Sequence, residues 1–139
     1  KKRAETLYVK YKQLLISGLE FFSTAEKIQG RGFVIINAKD KIKDTIIGTI
    51  ASIISNSFLY EEGTVITAMA YNGEKIKISA RNVGKQGRNV REILNKVIIK
   101  IGGEVGGHEF AAGCVIEKAK EELFIDKLKK SLEIELVKI

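Results

Sequence analysis

Proline is absent from this 139-residue chain, and cysteine, histidine and methionine occur once each. The lone cysteine, Cys114, excludes an intramolecular disulfide and a thiolate metal cluster and suits a reducing compartment. Beside a run of small residues it reads as a buried small hydrophobe. The lone histidine, His108, cannot build a histidine-rich metal site, and aspartate is limited to Asp40, Asp44 and Asp126, in no ligand spacing. Any serine or cysteine nucleophile would need His108 as its base, and nothing indicates that geometry. No run approaches the roughly 20 apolar residues that cross a bilayer, and no signal peptide opens the chain, so cytoplasm is expected and a membrane partner is not. The chain starts Lys1-Lys2-Arg3, without methionine, and enters a helical pattern at once, which suggests a piece of a longer protein.

Positive charge is what the chain has in excess. Lysine and arginine number 24 against 17 aspartates and glutamates, a formal net charge of +7 that favours a polyanionic partner. The length fits one domain able to bury about two thirds of its unfolded surface.

The apolar spacing changes period along the chain in the manner of an α/β domain. Residues 5–29 read as one long helix, with Leu7, Tyr11, Leu14, Phe21, Ala25 and Ile28 on one seam and Tyr8, Leu15 and Phe22 beside it. So wide a stripe fits a helix shared with a partner domain, and equally one buried across a broad face. Phe33-Val34-Ile35-Ile36 reads as a buried strand. A helix capped by Asp44 or Thr45 follows, carrying Ile46, Ile47, Ile50, Ile53 and Ile54. Residues 64–71 and 74–81 form a hairpin across Asn72-Gly73, with a type I′ turn expected. In its second strand Ile76, Ile78 and Ala80 alternate with Lys75, Lys77, Ser79 and Arg81, giving one core face and one basic face. An ordinary solvated sheet face explains Lys75 and Lys77 as well. Ser79 and Arg81 stand at the strand end, beside the loop 82–88, where Lys85, Arg88 and two glycines make a phosphate-facing rim without the P-loop spacing. Asn89 and Glu92 cap a helix that turns Val90, Ile93, Leu94, Val97, Ile98 and Ile101 inward and stops at Gly102-Gly103. Residues 111–116 read as a strand, 119–132 as an amphipathic helix, and Ile134, Leu136 and Ile139 as a last short edge strand. The expected product is a single α/β domain: a four- or five-stranded mixed sheet flanked by helices, with a long N-terminal helix.

Between the third helix and the strand at 111–116 lies Gly106-Gly107-His108-Glu109-Phe110-Ala111-Ala112-Gly113. Two glycines can bring bare backbone N–H groups against an anion, and the imidazole can add a hydrogen bond. A glycine turn with an incidental surface histidine fits the same residues.

Ser79-Ala80-Arg81 at a strand end, followed one helix later by this octapeptide, resembles the DHH-associated C-terminal domain of DHH phosphoesterases, and the context is most similar to archaeal RecJ-like single-strand exonucleases. The resemblance covers roughly residues 28–139. It implies that residues 30–139 are a substrate-binding domain and that residues 1–29 connect to a catalytic DHH domain outside this chain. There an Asp-His-His triplet and further aspartates would hold manganese or magnesium; no cofactor is expected in the chain itself. The resemblance places the phosphate contacts on Arg81, Gly106, Gly107 and His108, with Ser79 beside them and Lys75, Lys77, Lys85 and Arg88 as a basic rim. Single-stranded nucleic acid is the implied partner, and a replication or repair protein is a further candidate for the long helix. The related readings are a small-nucleotide phosphodiesterase acting on oligonucleotides or cyclic dinucleotides, a tRNA-binding domain like that of alanyl-tRNA synthetases, and a protein-interaction module.

Overall fold

β-Branched, period-two segments pair where their apolar faces can be covered by helices on both sides. The computed structural model describes the backbone of residues 2–138 and the side chains of residues 6–134. In chain order the elements are α1 (Lys2–Thr24), β1 (Ile28–Gly30), β2 (Phe33–Asn37), α2 (Asp44–Ser55), β3 (Val65–Asn72), β4 (Lys75–Asn82), α3 (Val90–Ile101), β5 (Val105–Gly107), β6 (Ala111–Glu117) and α4 (Glu121–Lys138). One six-stranded sheet runs β1-β2-β3-β4-β6-β5. The β2–β3 pair is parallel and every other pair is antiparallel. A parallel pair requires a crossover, and α2 supplies it.

Two apolar layers follow from the alternation. On one face Val34, Ile36, Ile66 and Ala68 lie under Ile47, Ile50 and Ala51 of α2, with Phe22 of α1 added from outside. On the other, Ile35, Met69, Ile78 and Cys114 meet Leu94 and Val97 of α3 and Phe124 and Leu128 of α4. The layer beneath α1 and α2 ends at β3. Beyond it, on the same face, α2 still crosses β4 but meets the polar residues Ser79 and Arg81 there, and β4 and β6 line a cleft along the side of that helix.

The mixed sheet, the four helices and the N-terminal position of the long helix agree with the pattern in the sequence. The count of four or five strands does not: β1 and β5 have three residues each, too few to alternate visibly. The last edge strand is absent. No glycine or proline separates Leu132 from Ile134, so α4 continues through Ile134 and Leu136 to Lys138; Ile139 lies outside the described residues. Helix α1 stops at Thr24 rather than 29, and Ile28 pairs with Ile35 in β1. Of its stripe, Leu14, Leu15, Phe21 and Phe22 pack against the core while Leu7, Tyr8 and Tyr11 are exposed. Ile53 is likewise exposed on α2. The cap of α2 is Lys43, without a side-chain bond, and Asp44 instead accepts from Asn72 Nδ2 at 3.0 Å. In the hairpin Asn72 pairs with Lys75, so Gly73 and Glu74 form the turn. Only Gly73 has positive φ, at 59°, the II′ pattern and not the expected I′.

Candidate functional site

The cleft, about 760 Å3, has β4 and β6 as its floor, α2 along one side and β5 along the other. Strand alternation puts Lys75, Lys77, Ser79 and Arg81 on this face, as the sequence predicts. Arg81 is half-buried between sheet and helix. Its Nε–H donates to Ser52 Oγ at 2.9 Å, Nη1 to the carbonyls of Ala80 at 2.9 Å and Ala112 at 3.4 Å, and Nη2 to the Gly48 carbonyl at 3.3 Å. All four acceptors are neutral, and among the described residues no carboxylate pairs with it. Burial accordingly pulls the Arg81 pKa below its ordinary value. A partly desolvated guanidinium without a counter-ion favours an arriving anion. The bidentate phosphate grip expected of arginine is reduced, because a guanidinium has about five N–H donors and the protein engages four of them.

In the sequence Gly48 marks a close approach within a core helix, which the structure places at Arg81, whereas Ser52 and the link of both residues to that arginine were missed. Gly48 and Ser52 interrupt the isoleucine stripe four residues apart, which places them on one helical face. An alanine methyl at Gly48 would stand 3.2 Å from Arg81 Nη2 and 3.3 Å from Ser79 Oγ. The small pair one turn apart, between the isoleucines of the helix, is the signal that was available. Ser79 itself is 3% exposed and forms part of the floor beneath.

The opposite wall is the Gly-Gly-His segment, which is not a free turn: Val105–Gly107 is a strand paired with Ala112–Cys114. Gly107 has φ 105°, and a Cβ there would run into the Ala111 carbonyl. Its own carbonyl accepts from Arg91 Nη1 at 3.1 Å. Gly106 lines the cleft with open space where a side chain would stand. Gly113 brings β6 within 2.8 Å of Ile78 O, measured from the place its Cβ would occupy. Thus the small residues serve both a tight sheet and a bare cleft wall.

His108 stands apart from the cleft lining. It is exposed, its backbone N–H donates to Ala111 O at 2.8 Å, and its Nδ1 accepts from the Phe110 N–H at 3.3 Å. With Nδ1 so engaged, Nε2 is the nitrogen left to donate outward. Of the four rim cations, Lys75 and Lys77 line the cleft, and Lys75 also lies 3.8 Å from Glu117. Lys85 is exposed on the loop 82–88, outside that lining, while Asn82 Nδ2 binds the loop to itself through the carbonyls of Val83, Gly84 and Gln86. Arg88 is not a rim residue. It is 7% exposed, donating to the buried Leu132 O at 2.7 Å and the partly buried Gly32 O at 2.6 Å, carbonyls that need a donor.

Ser79 and Cys114 are the hydroxyl and thiol of the cleft lining, and neither has a histidine or carboxylate in the lining beside it except Glu104 on the β5 side. Among the described residues no three His, Cys, Asp or Glu side chains converge there on a common point. Burial raises the Cys114 thiol to about 12, which keeps it protonated at neutral pH. No helix among the described residues is long and apolar enough to cross a membrane.

Solved structures share this architecture at low identity. RecJ from Thermus thermophilus superposes with a TM-score of 0.68 at 16% identity, over 95% of this chain and 20% of RecJ. The C-Ala domain of Aquifex aeolicus alanyl-tRNA synthetase gives 0.61 at 17% identity, over 78% of this chain and 98% of that domain. A pGpG-specific phosphodiesterase, PggH from Vibrio, gives 0.55 at 15% identity, over 95% of this chain and 42% of PggH. At such identities the likeness is one of fold, and the chain spans a fifth of RecJ and under half of PggH. No curated protein sequence matches the chain. The family model of the DHHA1 domain, however, matches residues 30–133, from the last residue of β1 to Glu133 in α4, and the chain therefore belongs to the DHHA1 domain family.

Proposed function

We infer that this chain is the substrate-holding domain of a RecJ-like, metal-dependent DHH exonuclease of archaeal type, and that its cleft grips the phosphates of single-stranded nucleic acid for a catalytic domain carried elsewhere. The observation that carries the reading is Arg81, a half-buried cation with only neutral partners at the floor of an open, glycine-walled cleft. Lys75 and Lys77 extend the positive field along the same strand. None of the residues lining the cleft is aromatic, so bases have no stacking platform there and recognition falls on the backbone. His108, outside the lining, contributes Nε2 only to a ligand long enough to cross β5.

Titration of labelled single-stranded oligonucleotides over a series of salt concentrations tests this. Affinity is expected to fall steeply with salt and to vary little with sequence. Arg81→Ala removes a charge-assisted contact of about 1.5 to 3 kcal/mol, hence about ten- to a hundredfold in affinity. Salt-indifferent binding, or full affinity in the Arg81 variant, would overturn the reading.

A further inference from the structure

Three depressions follow one another around the molecule. The cleft carries Lys75, Lys77 and Arg81. A second depression, about 270 Å3, shares Lys75 and Val115 with it and continues over Gly102, Gly103 and Lys120. A third, about 280 Å3, shares no lining residue with the second but includes Lys100, next in sequence to Ile101 of the second; it lies between α3 and α4 and is lined also by Lys96, Lys127 and Lys130. Strand β5 pairs only as far as Cys114, so Val115–Glu117 carry no strand on this edge, although Gly103 lies close against the Val115 carbonyl. Helix α3 has already ended, and a side chain at Gly102 would meet open space. The cleft and the α3–α4 groove lie on opposite faces of the sheet, so this edge is a corner between them.

We propose that this track is the path of a polymer: a single strand of nucleic acid whose backbone lies in the cleft, turns at Gly102-Gly103, and continues into the lysine groove. The path depends on the cleft reading and narrows it to a strand long enough to round the corner, as against a mono- or dinucleotide that would end inside the cleft. Cations outnumber carboxylates throughout. The acids that line the way are Glu104 and Glu117, and Asp126 flanks the groove 3.2 Å from Lys130. No aromatic side chain lines any of the three depressions, so the contact is with phosphates and independent of sequence. Flexible ammonium groups suit a backbone whose phosphates are not fixed in one geometry. Gly102, which lies off the cleft with open space where a side chain would stand, acquires a role at the corner, while Gly103 is required there by its contact with the Val115 carbonyl.

The test compares oligonucleotides of about 3 and about 12 nucleotides, lengths that bracket the shorter single-strand site sizes. The proteins are the parent chain, the triple variant Lys100→Gln, Lys120→Gln, Lys127→Gln, and Arg81→Ala, with thermal melts as the folding control. For the triple variant the 12-mer is expected to lose about tenfold in affinity and about 2 in the slope of log affinity against log salt, at roughly 0.7 per phosphate on a single strand. The 3-mer should bind it as it binds the parent. If the triple variant binds the 12-mer normally while Arg81→Ala weakens both lengths, the track is wrong and the cleft stands. If Arg81→Ala binds both lengths as the parent does, the cleft reading fails, and the continuous path with it.

Discussion

Gly106 and Gly107 adjoin in sequence but differ in what they require. At Gly107 the positive φ and the Ala111 carbonyl leave no room for a side chain, so its glycine is demanded by the fold. At Gly106 a methyl group meets nothing within 4 Å, so a fold argument gives no reason for glycine there. What remains is access: a backbone left bare along a cleft wall that faces Arg81 across the floor. Gly106→Ala is therefore expected to keep the melting temperature or raise it slightly, by about 0.4 to 1 kcal/mol of lost unfolded-state entropy. Oligonucleotide affinity should nevertheless fall by several fold, because the methyl holds a phosphate off the wall. Paired melts and binding curves check this, and unchanged affinity would show that ligand does not approach that strand. Arg81→Lys sharpens the same question. Lysine keeps the charge but cannot reach Ser52, Ala80, Ala112 and Gly48 together, so a loss close to that of Arg81→Ala would assign the effect to the oriented fork and not to charge alone.

Among the elements, the clearest gap between sequence and structure is Arg88, which joins two segments instead of facing substrate. Its guanidinium donates to the carbonyls of Leu132 in α4 and Gly32 in the β1–β2 turn, tying together segments that are distant in sequence. Arg88→Met leaves those two acceptors without their charged donor at about 1 to 3 kcal/mol each, so a destabilisation of roughly 2 to 6 kcal/mol is expected in urea unfolding. The binding of the folded fraction should be unchanged; a binding defect without lost stability would return Arg88 to the rim. No pattern within residues 82–88 could reveal this, since the partners are tertiary. Elements with a strong period were legible: the Ile76, Ile78, Ala80 alternation of β4, the Asn89 cap bonded to the Glu92 N–H at 3.1 Å, and the inward face of α3 all lie where the spacing puts them. Short or context-dependent ones were not. Strands β1 and β5 exist because β2 and β6 offer them an edge, and α4 runs on through Ile134 because nothing breaks it. At the site, alternation brought Ser79 and Arg81 to one face correctly. The support from Gly48 and Ser52 depends on α2 crossing that face, which a linear pattern does not contain.

At the scale of the whole molecule, the sheet divides labour between its faces and its two ends. The β2–β3 half is sealed beneath α1 and α2, whereas on the β4–β6–β5 half the apolar packing is on the α3–α4 side, and the cleft occupies the other face beside α2. Such a half-covered sheet can hold a ligand, but the chemistry available on it is limited. His108 has Nδ1 tied to Phe110, Cys114 is held as a thiol by burial, and the cleft's one carboxylate, Glu104, has no acidic neighbour in the lining. Phosphodiester hydrolysis through a two-metal centre needs several ligands placed to hold cations about 3.5 to 4 Å apart, and the described residues provide no such cluster. Addition of manganese or magnesium to the purified chain is therefore expected to leave end-labelled oligonucleotides intact over hours, while the same preparation still binds them with the salt dependence described above. The appropriate readout is a denaturing gel run beside a binding titration on one protein batch, because binding without cleavage is the combined signature of a substrate-holding domain. Metal-dependent shortening that co-purifies with the chain and is lost in Arg81→Ala would place catalysis within these 139 residues and overturn the division between a holding domain and a catalytic one.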